Sequence, residues 1–211
     1  MRILIVDDHA IVRRGLAQVL LDDFNGFSRH DEAQDGQEAY AKVVANDFDL
    51  VLMDISLPGR NGLEVLKQLK QIKPQLPVLM LSMHPEEQYA VRALKAGAAG
   101  YLTKGSAPDE LVAAVRRVLQ GGKYVSPTLS ELLVSELANG MQCKERHETL
   151  SDREFQVGCR IASGKTITEI ATDLVLSAKT VSTYRTRILE KMQMKNNAEL
   201  TTYFIRNGLV D

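Results

Sequence analysis

The sequence predicts two units in series: a doubly wound α/β unit on a five-stranded parallel sheet, then an all-α unit of four short helices. Three observations carry this expectation. Through residue 123, five short apolar runs alternate with stretches of helical periodicity. Two of those runs, Leu50-Val51-Leu52-Met53 and Pro77-Val78-Leu79-Met80-Leu81, are apolar without a break, as in strands buried on both faces. After residue 150 the apolar spacing turns helical and polar N-cap signals recur.

Taken in order, Arg2-Ile3-Leu4-Ile5-Val6 is a first strand, ending in Asp7 and Asp8. Val12, Leu16, Val19 and Leu20 give residues 9–21 helical spacing. Residues 27–33 form a second strand, although Arg29, His30 and Asp31 are poor strand-core residues. Residues 36–45 are a helix with Ala39, Val43 and Val44 inward. The central strand ends at Asp54, and Leu57-Pro58-Gly59-Arg60-Asn61-Gly62 is turn chemistry. Residues 63–72 place Leu63, Leu66 and Leu69 on one face. The fourth strand ends at Ser82, and Gly97 stops the helix that follows it over residues 86–96. The fifth strand, residues 100–104, ends in Lys104, and residues 108–119 are a helix stopped by Gly121-Gly122.

Residues 124–148 read as a linker holding one short helix, with Leu129, Leu132, Leu133 and Leu137 apolar and a polar stretch over residues 141–148. Ser151 with Glu154, and Thr166 with Glu169, have the form of capping boxes, and Leu150 and Phe155 suit a hydrophobic staple. Ser177 caps a helix over residues 178–192, and Asn196 opens a last helix that Gly208 closes. Only Val175-Leu176-Ser177 joins the second and third of these helices, the spacing of a helix-turn-helix.

The net charge of -1 does not by itself advertise nucleic-acid binding. Its distribution says more. Residues 151–211 carry nine basic and seven acidic side chains, and residues 179–195 carry five basic side chains against Glu190. Cys143 and Cys159 stand in no metal-ligand spacing and fit reduced thiols in the cytoplasm. No signal-peptide pattern or membrane-length apolar run is present, so no membrane association is expected.

The strand ends bring Asp7, Asp8, Asp54, Ser82 and Lys104 to one edge of the sheet, where such folds bind ligands. Clustered carboxylates repel unless a cation joins them, and an all-oxygen set with room for water suits Mg²⁺. An ionised carboxylate can attack phosphorus, and a metal and an ammonium then neutralise the transferring oxygens.

These residues carry a resemblance. Val6-Asp7-Asp8-His9, Leu52-Met53-Asp54, Leu57-Pro58-Gly59, Leu81-Ser82 and the stretch Ala96-Gly97 through Thr103-Lys104 resemble the flavodoxin-like receiver domain of two-component response regulators, over residues 1–123. Leu150-Ser151-Asp152-Arg153-Glu154 and Leu176-Ser177-Ala178-Lys179-Thr180-Val181 resemble the LuxR-type helix-turn-helix, over residues 149–211. Together they make the NarL/FixJ layout. The resemblance implies that Asp54 accepts a phosphoryl group from a sensor histidine kinase. It implies that Asp8, Asp54 and the Ser56 carbonyl hold Mg²⁺ directly, with Asp7 acting mainly through water. Lys104 then contacts the phosphoryl group, and Ser82 and Tyr101 form the switch pair. Double-stranded DNA, RNA polymerase and a homodimer formed on activation are the implied partners. Self-phosphorylation and self-dephosphorylation are the implied limits of its catalysis.

In residues 178–192, Val181, Ile188 and Met192 form an inward stripe with Tyr184 as a packed ring. Ser182, Thr183 and Thr186 then face base edges, while Lys179, Arg185, Arg187 and Lys191 suit phosphates and Thr180 joins them near the helix start. Two rival functions weigh less. An aspartyl-phosphate hydrolase usually needs a second acid two residues after its nucleophile, where this chain has Ser56. A constitutive DNA binder would not need the full acid set and Lys104.

Overall fold

The computed structural model describes residues 1–24, 29–139 and 145–210. It divides into two compact units, Met1–Ser130 and Glu131–Asp211. The first unit alternates β1 (Arg2–Val6), α1 (Ala10–Asp23), β2 (Arg29–Ala33), α2 (Gly36–Ala45), β3 (Leu50–Asp54), α3 (Gly62–Ile72), β4 (Val78–Ser82), α4 (Glu86–Lys95), β5 (Gly100–Thr103) and α5 (Pro108–Leu119). α6 (Pro127–Asn139) follows and contains the boundary between the units. After a 3₁₀ turn at Arg146–Thr149 come α7 (Asp152–Ala162), α8 (Ile167–Asp173), α9 (Ala178–Met192) and α10 (Asn197–Arg206).

The sheet is parallel throughout, in the order β2-β1-β3-β4-β5. This order reverses direction between β1 and β3, so a crevice opens beyond the ends of those two strands. On one face Ile3, Ile5, Leu50, Leu52 and Leu79 pack with Leu20 of α1 and Leu111, Val115 and Val118 of α5. The alternate residues Leu4, Val51, Met53, Val78 and Met80 are equally buried, so both faces are covered. That double burial is why the strands lack polar alternation.

β2 keeps its polar residues because it is the edge strand. Asp31 accepts a 2.6 Å hydrogen bond from Arg2 Nε, and Glu32 accepts one of the same length from Arg13 Nε. The predicted start of that strand, residues 27 and 28, lies outside the described residues, as do Leu137's side chain and residues 141–144. Val44 is a correction. It is 58% exposed, whereas Ala39 and Val43 carry the buried stripe of α2.

The predicted linker begins as part of the first unit. Tyr124 N–H donates to the Ala99 carbonyl at 2.8 Å, extending the sheet edge beside β5. Ser126 Oγ donates to Glu86 of α4 and accepts from Leu129 N–H at 3.0 Å, and Leu129 is buried. The expected polar linker over residues 145–148 is mostly the 3₁₀ turn.

Both capping boxes form, at Ser151–Glu154 and Thr166–Glu169. Ser177 and Asn196 accept from Thr180 N–H and Glu199 N–H as N-caps. Gly208 (φ +62) lies just past the end of α10.

Candidate phosphoryl-transfer site and DNA-facing helix

β1 delivers Asp7 and β3 delivers Asp54 to the crevice; both are almost fully buried. The β3 exit is tightly built. Asn61 accepts from Leu63 N–H at 2.8 Å to start α3, and Gly62 N–H donates to the Ile55 carbonyl at 2.9 Å. A Cβ on Gly62 would lie 2.0 Å from the Asp54 carbonyl oxygen, so only glycine lets α3 begin against the backbone of Asp54.

Lys104, one residue past β5, reaches back over the strand ends. Its backbone N–H donates to the Ser82 carbonyl at 2.7 Å, which fixes where its side chain departs. Its Nζ lies 2.9 Å from Asp54 Oδ2 and 2.6 Å from Asp7 Oδ2. The contact to Asp7 Oδ2 is an ion pair. Asp54 Oδ1, by contrast, is buried with no hydrogen-bond partner among the described residues. Burial raises the Asp54 pKa above its ordinary value, against the attraction of Lys104. Burial pulls Lys104 down, but Asp54 and Asp7 outweigh it and hold the ammonium above its ordinary value.

Asp8 differs from that trio in burial and partner. It is exposed, and its short contact is to His9 Nδ1, at 2.8 Å. His9 Nδ1 also lies 3.3 Å from Asp7 Oδ1. Ligand atoms of Asp7, Asp8 and His9 lie within 4.8 Å of one another, close enough for one cation. His9 was named in the Val6-Asp7-Asp8-His9 motif but given no role, although its place directly after two acids was the available signal. Arg13 was missed too: its Nη1 donates to the Asp7 carbonyl at 2.7 Å, holding the end of β1. The donor set fits a hard divalent cation: it supplies carboxylate oxygens, one of them buried and unpartnered.

The Ser82 and Tyr101 side chains meet by a direct hydrogen bond and also share a third residue. Ser82 Oγ accepts from His84 N–H at 3.0 Å, and the Tyr101 hydroxyl donates to the His84 carbonyl at 2.8 Å. Tyr101 is already fully buried, and burial raises its pKa. Spacing along the sequence did not reveal His84 as the common partner.

In the second unit, Val181, Ile188 and Met192 are buried and form the inward stripe of α9. Ser182, Thr183 and Thr186 are exposed. Thr183 and Thr186 donate to the carbonyls of Lys179 and Ser182, which leaves their oxygens able to accept. Tyr184 departs from the packed ring expected of it: it is only half-buried and lines a shallow concavity with Lys179, Thr180, Thr183 and Arg187. The basic residues also divide. Lys191 pairs with Glu154 at 2.6 Å, and Arg185 Nε donates to Asn197 Oδ1 at 2.6 Å.

Comparison with known proteins agrees with this geometry. Residues 3–116 match the response regulator receiver domain, and residues 148–204 match the bacterial regulatory proteins of the luxR family. Response regulator UvrY of Escherichia coli is 37% identical over 98% of this chain and 94% of its own. Response regulator GacA of Pseudomonas aeruginosa is 36% identical over 100% of this chain and 98% of its own. RcsB from Salmonella enterica serovar Typhimurium, solved bound to promoter rprA with the phosphomimetic BeF3-, superposes with a TM-score of 0.63. It shares 27% identity and covers 96% of this chain and 97% of its own. No helix among the described residues is long and apolar enough to cross a membrane. With a receiver sheet, a LuxR-type helix-turn-helix and relatives that match both together, the chain belongs to the NarL/FixJ-type response regulators, which regulate transcription by binding DNA.

Proposed function

We propose that Asp54 is the phosphoacceptor and that its phosphorylation controls DNA binding by the second unit. The observation that carries this is the asymmetry of the Asp54 carboxylate: Oδ2 is held by Lys104, while Oδ1 is buried and unpartnered. An oxygen without a hydrogen bond keeps its lone pairs available for attack. Oδ1 bonds to phosphorus, the phosphorus–nitrogen bond of a kinase phosphohistidine breaks, and the imidazole leaves with the electron pair. Lys104 then compensates charge on the transferred group.

Asp8, Asp54 and the Ser56 carbonyl would hold Mg²⁺, with Asp7 through water. The bound ion supplies electrostatic compensation for the phosphoryl oxygens. Ser82 Oγ exchanges its bond to His84 for one to the phosphoryl group. Because Tyr101 is already inside, this exchange would act through its contacts with Ser82 and the shared His84 peptide rather than through burial of the ring. Residues 1–123 serve as receiver, 124–148 as linker and 149–211 as DNA-binding domain, in the cytoplasm. Phosphorylation favours a homodimer, whose two recognition helices suit half-sites about one helical turn apart, beside RNA polymerase. Ser182, Thr183 and Thr186 read bases.

The test is intact-mass measurement after incubation with acetyl phosphate and Mg²⁺. One added phosphate is expected, lost in Asp54→Asn and in EDTA. Full labelling of the variant, or labelling without divalent cation, contradicts the assignment.

A further inference from the structure

On α9, Lys179, Thr183 and Arg187 follow one another at i, i+4 and i+8, and so form one line along the helix. Thr180 and Tyr184 form the adjacent line, on the flank between that row and the buried stripe. Ser182 and Thr186 lie on the other side. The five residues of the two lines line one shallow concavity.

Their pairing differs from that of three other cations in this unit, while Lys195 and Arg206, which are also unpaired among the described residues, stand off this concavity. Lys165 is taken by Asp173, Lys191 by Glu154 and Arg185 by Asn197. Lys179 and Arg187 make no side-chain hydrogen bond or ion pair among the described residues, and neither does the Tyr184 hydroxyl. A half-buried ring is a stiff support with few torsions, so its hydroxyl is presented at a fixed place. Two open cations with a fixed neutral donor between them match a run of anionic oxygens. They do not match an apolar or cationic partner.

We propose that Lys179, Tyr184 and Arg187 form a phosphodiester clamp on duplex DNA, with the Tyr184 hydroxyl donating to a phosphate between the two charges. The clamp rests on the DNA-binding reading and adds to it a division of labour. One flank of α9 holds the backbone and sets the register in which Ser182, Thr183 and Thr186 meet base edges. Arg185 and Lys191 chiefly hold α9 to α10 and α7. The Thr180 and Ser177 hydroxyls share a hydrogen bond at 2.8 Å at the helix start, and Thr180 is not part of the clamp.

The test is fluorescence-anisotropy titration of a labelled mixed-sequence duplex by the full chain, over a series of salt concentrations. Tyr184→Phe keeps the ring and removes only the hydroxyl. It is expected to weaken binding about ten-fold, as for a lost hydrogen bond to a charged group, and to leave the salt slope unchanged. Lys179→Ala and Arg187→Ala should each flatten the slope of log affinity against log salt by roughly 1. Melting curves establish that each variant is folded, and Arg187→Lys should restore the slope. If Tyr184→Phe binds like the parent while the parent shows a normal salt slope, the clamp is overturned and DNA binding stands. If the parent itself shows no salt slope, both the clamp and the DNA reading fall.

Discussion

At the scale of single residues, the phosphoryl site places two buried carboxylates against one ammonium. Asp7, Asp54 and Lys104 therefore leave one negative charge in a buried cluster. The folded chain holds the Asp54 proton to higher pH than the unfolded chain does, because burial raises its pKa. The stability this lends is complete below the ordinary carboxylate value of about 3.9 and is lost as pH rises through the raised value. At neutral pH, without divalent cation, Asp54→Asn should therefore melt higher than the parent. The gain should fall within the roughly 0.5–3 kcal/mol usual for single substitutions and vanish toward pH ~4. Calorimetry in EDTA across that range checks it; a variant that melts lower at neutral pH contradicts the charge account. The acids, the hydroxyl and the lysine were legible in the sequence because each stands at the end of an apolar run. The pairing of Lys104 with Asp7 as well as Asp54 was not, because it depends on how far a side chain reaches across three strands.

At the scale of elements, strand existence was legible because burial on both faces removes polar residues from β3 and β4. β2 was hard to read because an edge strand can keep Arg2–Asp31 and Arg13–Glu32 pairs at its margin. Val44 misled for a related reason: an apolar residue next to a buried one need not share its face on a helix. α8 ends at Asp173, and Val175 follows it in left-handed backbone (φ +52). That position usually carries glycine or asparagine, so a β-branched residue there gave no stop signal. Ser126-Pro127 was legible as the start of a short helix within the linker, but the polar Ser126 gave no sign of being an anchor to the first unit. In the fold Ser126 caps α6 and bonds Glu86 at the start of α4, a few residues from His84. Ser126→Ala should cost roughly 0.5–2 kcal/mol and speed hydrogen exchange of the first α6 amides, Leu129 and Ser130. Unchanged exchange there would show that Ser126 does not anchor the helix.

At the scale of the whole molecule, two folding patterns succeed each other along one chain, and the change of period near residue 150 announces the second. Family and fold were therefore readable from 211 residues. The use of individual surface cations was not. A run of five basic residues looks uniform until Glu154 and Asn197 claim two of them. The relation between the units in function is a matter of free energy. A phosphoryl group adds roughly -1.5 to -2 charge at a site where Ser82 and Tyr101 share the His84 peptide. On the proposed function, coupling of that event to DNA affinity is expected in the usual allosteric range of ~1–3 kcal/mol, or ~5–150-fold. The most direct measurement is titration of a DNA fragment selected by this protein, with and without beryllofluoride and Mg²⁺, for the parent and for Asp54→Asn. Affinity should rise within that range for the parent and stay constant for the variant. Equal parental affinity in both conditions, with Asp54 demonstrably occupied, would contradict phosphorylation control of DNA binding.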